Sequence, residues 1–122
     1  MMVIGMQRHL RLTKRDDFNK VYRFGKSVAN QQFVIYCFGQ EKIEQFRMGV
    51  SVSKKIGNAV VRNRLRRLIK EVVRLHQTQV VSHIDFIVIA RKPVLQLVDY
   101  DQFEKSLLHL MRKAKLFEKN TI

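Results

Sequence analysis

Arg62, Arg66, Lys70 and Arg74 recur every four residues between positions 60 and 76, with Asn63, Arg64 and Arg67 beside them. Guanidinium forks in such an array suit phosphate oxygens or the acceptor edge of a base, because planar donors meet two acceptors at once. At 100° per residue, the four-residue row occupies one side of a helix. Val61, Leu65, Leu68, Ile69, Val72 and Leu75 fall on the other side, in an arc of about 120° that faces a core. Glu71 is the sole acid of the segment. A merely solvated face would mix signs and set Glu four residues from Lys; stacked like charges instead destabilise an isolated helix. An anionic partner explains the pattern.

The lead-in to that helix, Ser53-Lys54-Lys55-Ile56-Gly57-Asn58, adds two lysines, a glycine and the free amides of a helix start. Together they can cradle phosphate. Asn58 also reads as a helix cap and Gly57 as a turn residue, and these readings are compatible with the first.

Protein-borne hydrolysis of a phosphodiester needs a general base and acid, often with carboxylates holding metal ions. Asp16 and Asp17 sit at one helix start, where capping accounts for them, and Asp99 and Asp101 bracket another. His9, His76, His83 and His109 are scattered without metal-ligand spacing. No catalytic side chain, bound metal or protein-held cofactor is expected.

The elements that must position these residues are legible from periodicity. Thr13 followed by Asp16 reads as a capping box, Phe18, Val21 and Tyr22 recur at helical spacing, and Gly25 reads as a left-handed stop; a helix is expected over 14–24. Residues 27–30 form a short edge strand. Residues 33–38 alternate Phe33, Ile35 and Cys37 against Val34, Tyr36 and Phe38. In the strand at 46–53, Met48, Val50 and Val52 share one face. Arg47, Gly49, Ser51 and Ser53 share the other, whose small residues permit close approach. The basic helix spans 59–76, and the apolar run 84–90 reads as a buried strand. A last helix starts with a capping box at Asp101 and Glu104. The order α-β-β-β-α-β-α implies an α+β fold, a two-layer α-β sandwich with a four-stranded mixed sheet and three helices.

Length suits one domain over 1–122, with residues 1–7 flexible. The balance of 24 Lys and Arg against 10 Asp and Glu leaves +14 at pH 7. Such a chain repels itself, so a polyanion is the expected partner and nucleic acid the leading one. A membrane partner would require a span of about 20 apolar residues or a lipidation signal. The sequence has neither, and residues 1–7 lack the features of a signal peptide. The single cysteine, Cys37, suits a reducing cytoplasm. No obligatory protein partner is expected.

The segment Ser51-Val52-Ser53-Lys54-Lys55-Ile56-Gly57-Asn58-Ala59-Val60-Val61-Arg62-Asn63-Arg64, continuing to Glu71, closely resembles the Arg-Asn-Arg signature of the bacterial ribonuclease P protein family. Arg11-Leu12, Asp17-Phe18, Val21-Tyr22, Gly25, residues 27–30 and Ile89-Ala90-Arg91-Lys92 agree in order and spacing, so the likeness spans roughly residues 8–116. It implies a protein that binds a catalytic RNA, with magnesium at the RNA active site, and assists removal of the 5′ leader from precursor tRNA. It implies that Lys54, Lys55, Asn58, Arg62, Asn63, Arg64, Arg66, Arg67 and Lys70 face the RNA subunit. It further implies that Phe18, Tyr22 and Tyr36 line a cleft for the single-stranded leader, with Arg11, Lys14, Arg91 and Lys92 supplying charge. Without the likeness, Phe18 and Tyr22 read as core residues, and Tyr36 reads either way. Tyr22 stands where phenylalanine or another aromatic is expected, a local departure in which stacking should survive the added hydroxyl. The likeness also implies a left-handed β-α-β crossover, where pattern alone favours the right-handed form. A general RNA-binding protein and a free-standing nuclease are the competing classes.

Overall fold

The computed structural model describes residues 6–118. Of the seven residues expected to be flexible, 1–5 lie outside the described ones, and Met6 is buried in the core. The elements are α1 (Arg15–Phe24), β1 (Lys26–Ala29), β2 (Phe33–Gly39), β3 (Arg47–Ser51), α2 (Ala59–Leu75), β4 (Ile84–Ala90) and α3 (Tyr100–Lys113), in the expected order. Short 3-10 turns occupy Arg8–Leu10, Gln77–Gln79 and Lys92–Gln96.

The strands form one mixed sheet in the order β1-β2-β4-β3. β1 with β2 and β2 with β4 are antiparallel, whereas β3 with β4 is parallel. Joining parallel neighbours needs a crossover connection. Here α2 supplies it, consistent with the β-α-β crossover expected from the family.

Alternation along the strands decides which layer each side chain enters. Phe33 and Ile35 of β2, Met48 of β3 and Phe86 and Val88 of β4 point to one face and join α2 and α3 in the main core. The ring of Phe33 meets that of Phe103 edge-on at 5.3 Å, fixing α3 over β2. The opposite face carries α1 and a smaller cluster of Leu12, Val21 and Ile87, with Phe18, Tyr36, Phe38 and Ile89 against it. The sheet and its α2–α3 layer make the expected sandwich, with α1 covering part of the outer side.

Three local expectations are corrected. Thr13 does not cap α1: Lys14 is the cap residue and makes no side-chain cap bond. Asp16 and Asp17 instead lie in the first turn, where they favour the positive end of the helix dipole. Gly25 is extended, at φ −79° and ψ 167°, not left-handed. Glycine is required because an added Cβ would lie 2.4 Å from the Val21 carbonyl oxygen and 2.6 Å from that of Cys37. The cap of α3 is Asp99, which accepts from the Gln102 amide at 2.9 Å, two residues before the expected box.

One tie between layers was absent from the sequence reading. Arg47 donates from Nε and Nη2 to the two oxygens of Asp85 at 2.8 and 2.7 Å, and from Nη1 to Asp17 of α1 at 3.3 Å. Asp85 is 1% exposed, the sole buried charged residue among those described. Its charge is tolerable because the paired guanidinium satisfies both oxygens. The same pairing raises the Arg47 pKa, chiefly through the hydrogen bonds to Asp85.

Removing the guanidinium strands that carboxylate. Arg47→Met should therefore lower folding stability by about 3–5 kcal/mol in urea titrations. The double variant Arg47→Met with Asp85→Leu should recover most of the loss; equal stability of the single variant and the parent would contradict the assignment.

Candidate nucleic-acid interface

Two surfaces are built on opposite faces of the sheet. The first is the aromatic group over the α1 face. Tyr36 of β2, Ile87 of β4 and Gly49 of β3 stand in one register row. Gly49 is bare so that Phe18 can lie on it: a Cβ there would come 2.4 Å from the Phe18 ring. Phe18 and Tyr22, four apart on α1, have ring centroids 6.3 Å apart, and Tyr22 meets Tyr36 edge-on at 5.2 Å. The three predicted aromatics are thus one contiguous group, partly core and partly open; Tyr22 remains 39% exposed.

The departure at Tyr22 has a local partner. Ser51 of β3 lies beside its hydroxyl. Burial raises the Tyr22 pKa, with Tyr36 adding to the rise and Ser51 opposing it. Beyond Tyr22 the floor continues into the row Val34–Ile89–Ser51, whose members are half-buried. At the same end of β4, Arg91 donates to the Asn30 carbonyl at 2.7 Å and Lys92 is exposed. Lys14 stands exposed at the other boundary, before α1.

The second surface is α2. Asn58 caps it, its side chain accepting from the Val61 amide at 3.0 Å, and Lys54 and Lys55 are exposed in the turn before it. The helix is rotated from the expected wheel: Val73 is fully buried, whereas Leu75 is 53% exposed. The rotation draws Arg62, Arg66 and Lys70 to the half-buried margin and leaves Asn63, Arg64 and Arg67 outermost. The margin is electrostatically crowded. Burial lowers the Lys70 pKa, and the charges of Arg11 and Arg66 lower it further. Arg62 Nε is buried without a hydrogen-bond partner, and Arg66 is steadied by Asn63 Oδ1 at 2.9 Å. Arg74 leaves the array, since its guanidinium pairs with Glu71.

Arg11 does not join the aromatic group. Its Nε and Nη2 donate to the Met6 carbonyl at 3.0 and 2.7 Å. With Met6 it walls a groove of about 970 Å³ against Val60, Asn63, Arg64, Arg67, Leu68, Lys70 and Glu71 of α2. A single sequence gave no signal for that placement, because the contact partner is a backbone oxygen.

The family model described as Ribonuclease P matches residues 6–115. The chain belongs to the ribonuclease P protein family. It is 49% identical over 116 residues to the ribonuclease P protein component of Bacillus velezensis, covering 95% of this chain and 98% of that one. Against the ribonuclease P protein component of Macrococcus caseolyticus it is 48% identical over 114 residues, covering 93% and 97%. A Staphylococcus aureus RNase P protein mutant with defective mRNA degradation activity superposes with a TM-score of 0.86 at 42% identity, covering 90% of this chain and 92% of that one. The RNase P protein of Thermotoga maritima superposes with a TM-score of 0.78 at 31% identity, covering 84% of this chain and 96% of that one. As a member of that family, the chain is part of an RNA-binding ribonucleoprotein endonuclease of tRNA processing.

Crowded cations with few acids should leave the free protein short of stability that anions restore. Raising sodium chloride from about 20 to 500 mM should raise Tm, and sulfate at equal ionic strength should raise it further by binding the folded state. A Tm indifferent to both salts would contradict the crowding.

Proposed function

We propose that the two surfaces act together: α2 and its leading turn bind the catalytic RNA, while the aromatic group beside the sheet holds the 5′ leader of precursor tRNA. The observation that carries this reading is their separation. α2 lies on one face of the sheet and Phe18, Tyr22 and Tyr36 on the other, so one small protein can touch both RNAs without competition. Extended single strands are held by stacking and positive charge, and a leader is such a strand. Lys14, Arg91 and Lys92 border the aromatic group and supply the charge. Lys54, Lys55, Asn58, Arg62, Asn63, Arg64, Arg66, Arg67 and Lys70 supply the RNA-subunit face, with phosphates accepted by the outward guanidiniums.

In this reading the chemistry belongs to the RNA and its magnesium ions. Four of the ten acids of the chain have other tasks: Asp17 and Asp85 pair with Arg47, Asp99 caps α3 and Glu71 pairs with Arg74. The protein lowers phosphate repulsion and lengthens the contact with substrate, raising discrimination for precursor over mature tRNA. The reading sets the protein in the cytoplasm; among the described residues no helix is long and apolar enough to cross a membrane.

The test is the ratio of affinities for precursor and mature tRNA, measured on the complex of this protein with a bacterial ribonuclease P RNA. Tyr22→Ala should reduce that ratio by about five- to 150-fold, the worth of one stacked base. Tyr22→Phe should keep it, because the ring does the stacking. Equal weakening of both tRNAs by Tyr22→Ala would remove the leader assignment and favour a general RNA-binding role.

A further inference from the structure

We infer that the groove between the segment at Met6–Arg11 and the outward face of α2 receives one unpaired nucleotide of the RNA subunit, its base against the apolar floor and its phosphate between Arg11 and Lys70. The inference rests on the reading of α2 as RNA-facing and goes beyond it, since an array of exposed arginines requires only phosphates.

The groove has features that phosphate contact alone does not need. Its lining joins apolar surface from Met6, Val60 and Leu68 to the cations Arg11, Arg64 and Lys70. Val60 is 76% exposed, an apolar side chain held out in water on the first turn of a basic helix. A duplex offers phosphates and sugar hydroxyls on its surface, with the base faces hidden in the stack. An unpaired nucleotide offers a flat apolar face and an anion a few ångströms apart, which is the pairing the groove presents.

Arg11 is prepared for that role. Two of its donors are fixed on the Met6 carbonyl, so the guanidinium plane is already oriented. A fixed guanidinium can stack against a base while its remaining N–H groups meet a phosphate. Little side-chain freedom is then lost on binding. Lys70, half-buried between Arg11 and Arg66, is a cation whose charge is disfavoured in the free protein, and a phosphate would relieve it. The groove is about 970 Å³, which gives a nucleotide ample room.

The experiment uses the full chain and a bacterial ribonuclease P RNA. Arg11→Gln and Lys70→Gln, each checked for folding by thermal unfolding, should each weaken RNA binding about tenfold. Each should also reduce the log–log salt slope by about one. A photoreactive p-benzoylphenylalanine in place of Val60 should crosslink to a nucleotide that is unpaired in the RNA secondary structure. Arg66→Ala, on α2 but outside the groove lining, is the control for the underlying reading. If it weakens binding while both glutamine variants bind normally, the groove is not an RNA site although α2 still is. If all three bind normally, the reading of α2 fails as well. Crosslinks confined to base-paired stems, or formed only within the protein chain, would overturn the assignment of an unpaired nucleotide.

Discussion

The Arg47 guanidinium stands between two carboxylates, and the position of α1 on the sheet depends on it. Two parallel hydrogen bonds hold it to Asp85 in the central strand β4, and a third reaches Asp17 in the first turn of α1. Burying Asp85 is unfavourable unless its charge is paired and its oxygens are satisfied, and Arg47 does both. The link also sets register, because only one placement of α1 brings Asp17 to Arg47 while Phe18 lands on bare Gly49. From that placement Tyr22 reaches Tyr36 and Ser51 one turn further along. The aromatic group is therefore a consequence of a salt-bridged strand pair beneath it.

On the other face the constraint is the reverse: charges are gathered without partners. α2 holds its cations because the opposite side is well anchored, with Leu65, Ile69, Val72 and Val73 in the main core and Asn58 capping the first turn. The anchoring offsets the mutual repulsion of the cations. Only at the last turn is a cation neutralised, where Arg74 pairs with Glu71 beyond the array. The dry side of the helix and the charged side are thus one design, and the rotation that buries Val73 decides which arginines face outward.

Much of this was legible in the sequence, for definable reasons. Alternation in the strands separated Tyr36 from Ile35 and Gly49 from Met48 correctly, because a two-residue period leaves no ambiguity once a strand is recognised. The basic row on α2 stood out since like charges four apart have no local justification. The family signature then drew attention to both surfaces. What escaped was set mostly by tertiary packing. Asp85 lies within an apolar run and Arg47 opens a strand, so nothing in either neighbourhood pairs them across 38 positions. The rotation of α2 depends on packing against β3 and α3, which shifts the buried arc by more than a wheel resolves. Arg11 was expected beside the leader cleft and lies against α2, because its partner is the Met6 carbonyl. Thr13 and Gly25 carried sound local signals for a cap and a left-handed stop. The helix starts one residue later than the Thr13 box requires, with Lys14 at the cap, and Gly25 is needed for close passage beside Val21 and Cys37.

The central claim is that a protein without its own catalytic centre enables an RNA to process precursor tRNA. Cleavage of precursor tRNA by a bacterial ribonuclease P RNA at low magnesium, with and without this protein, tests it most directly. The account predicts cleavage at the mature 5′ end only when both are present, with no product from the protein alone. Failure of the protein to stimulate the RNA despite tight binding, or cleavage at that site by the protein alone that is lost on substituting a carboxylate, would contradict it.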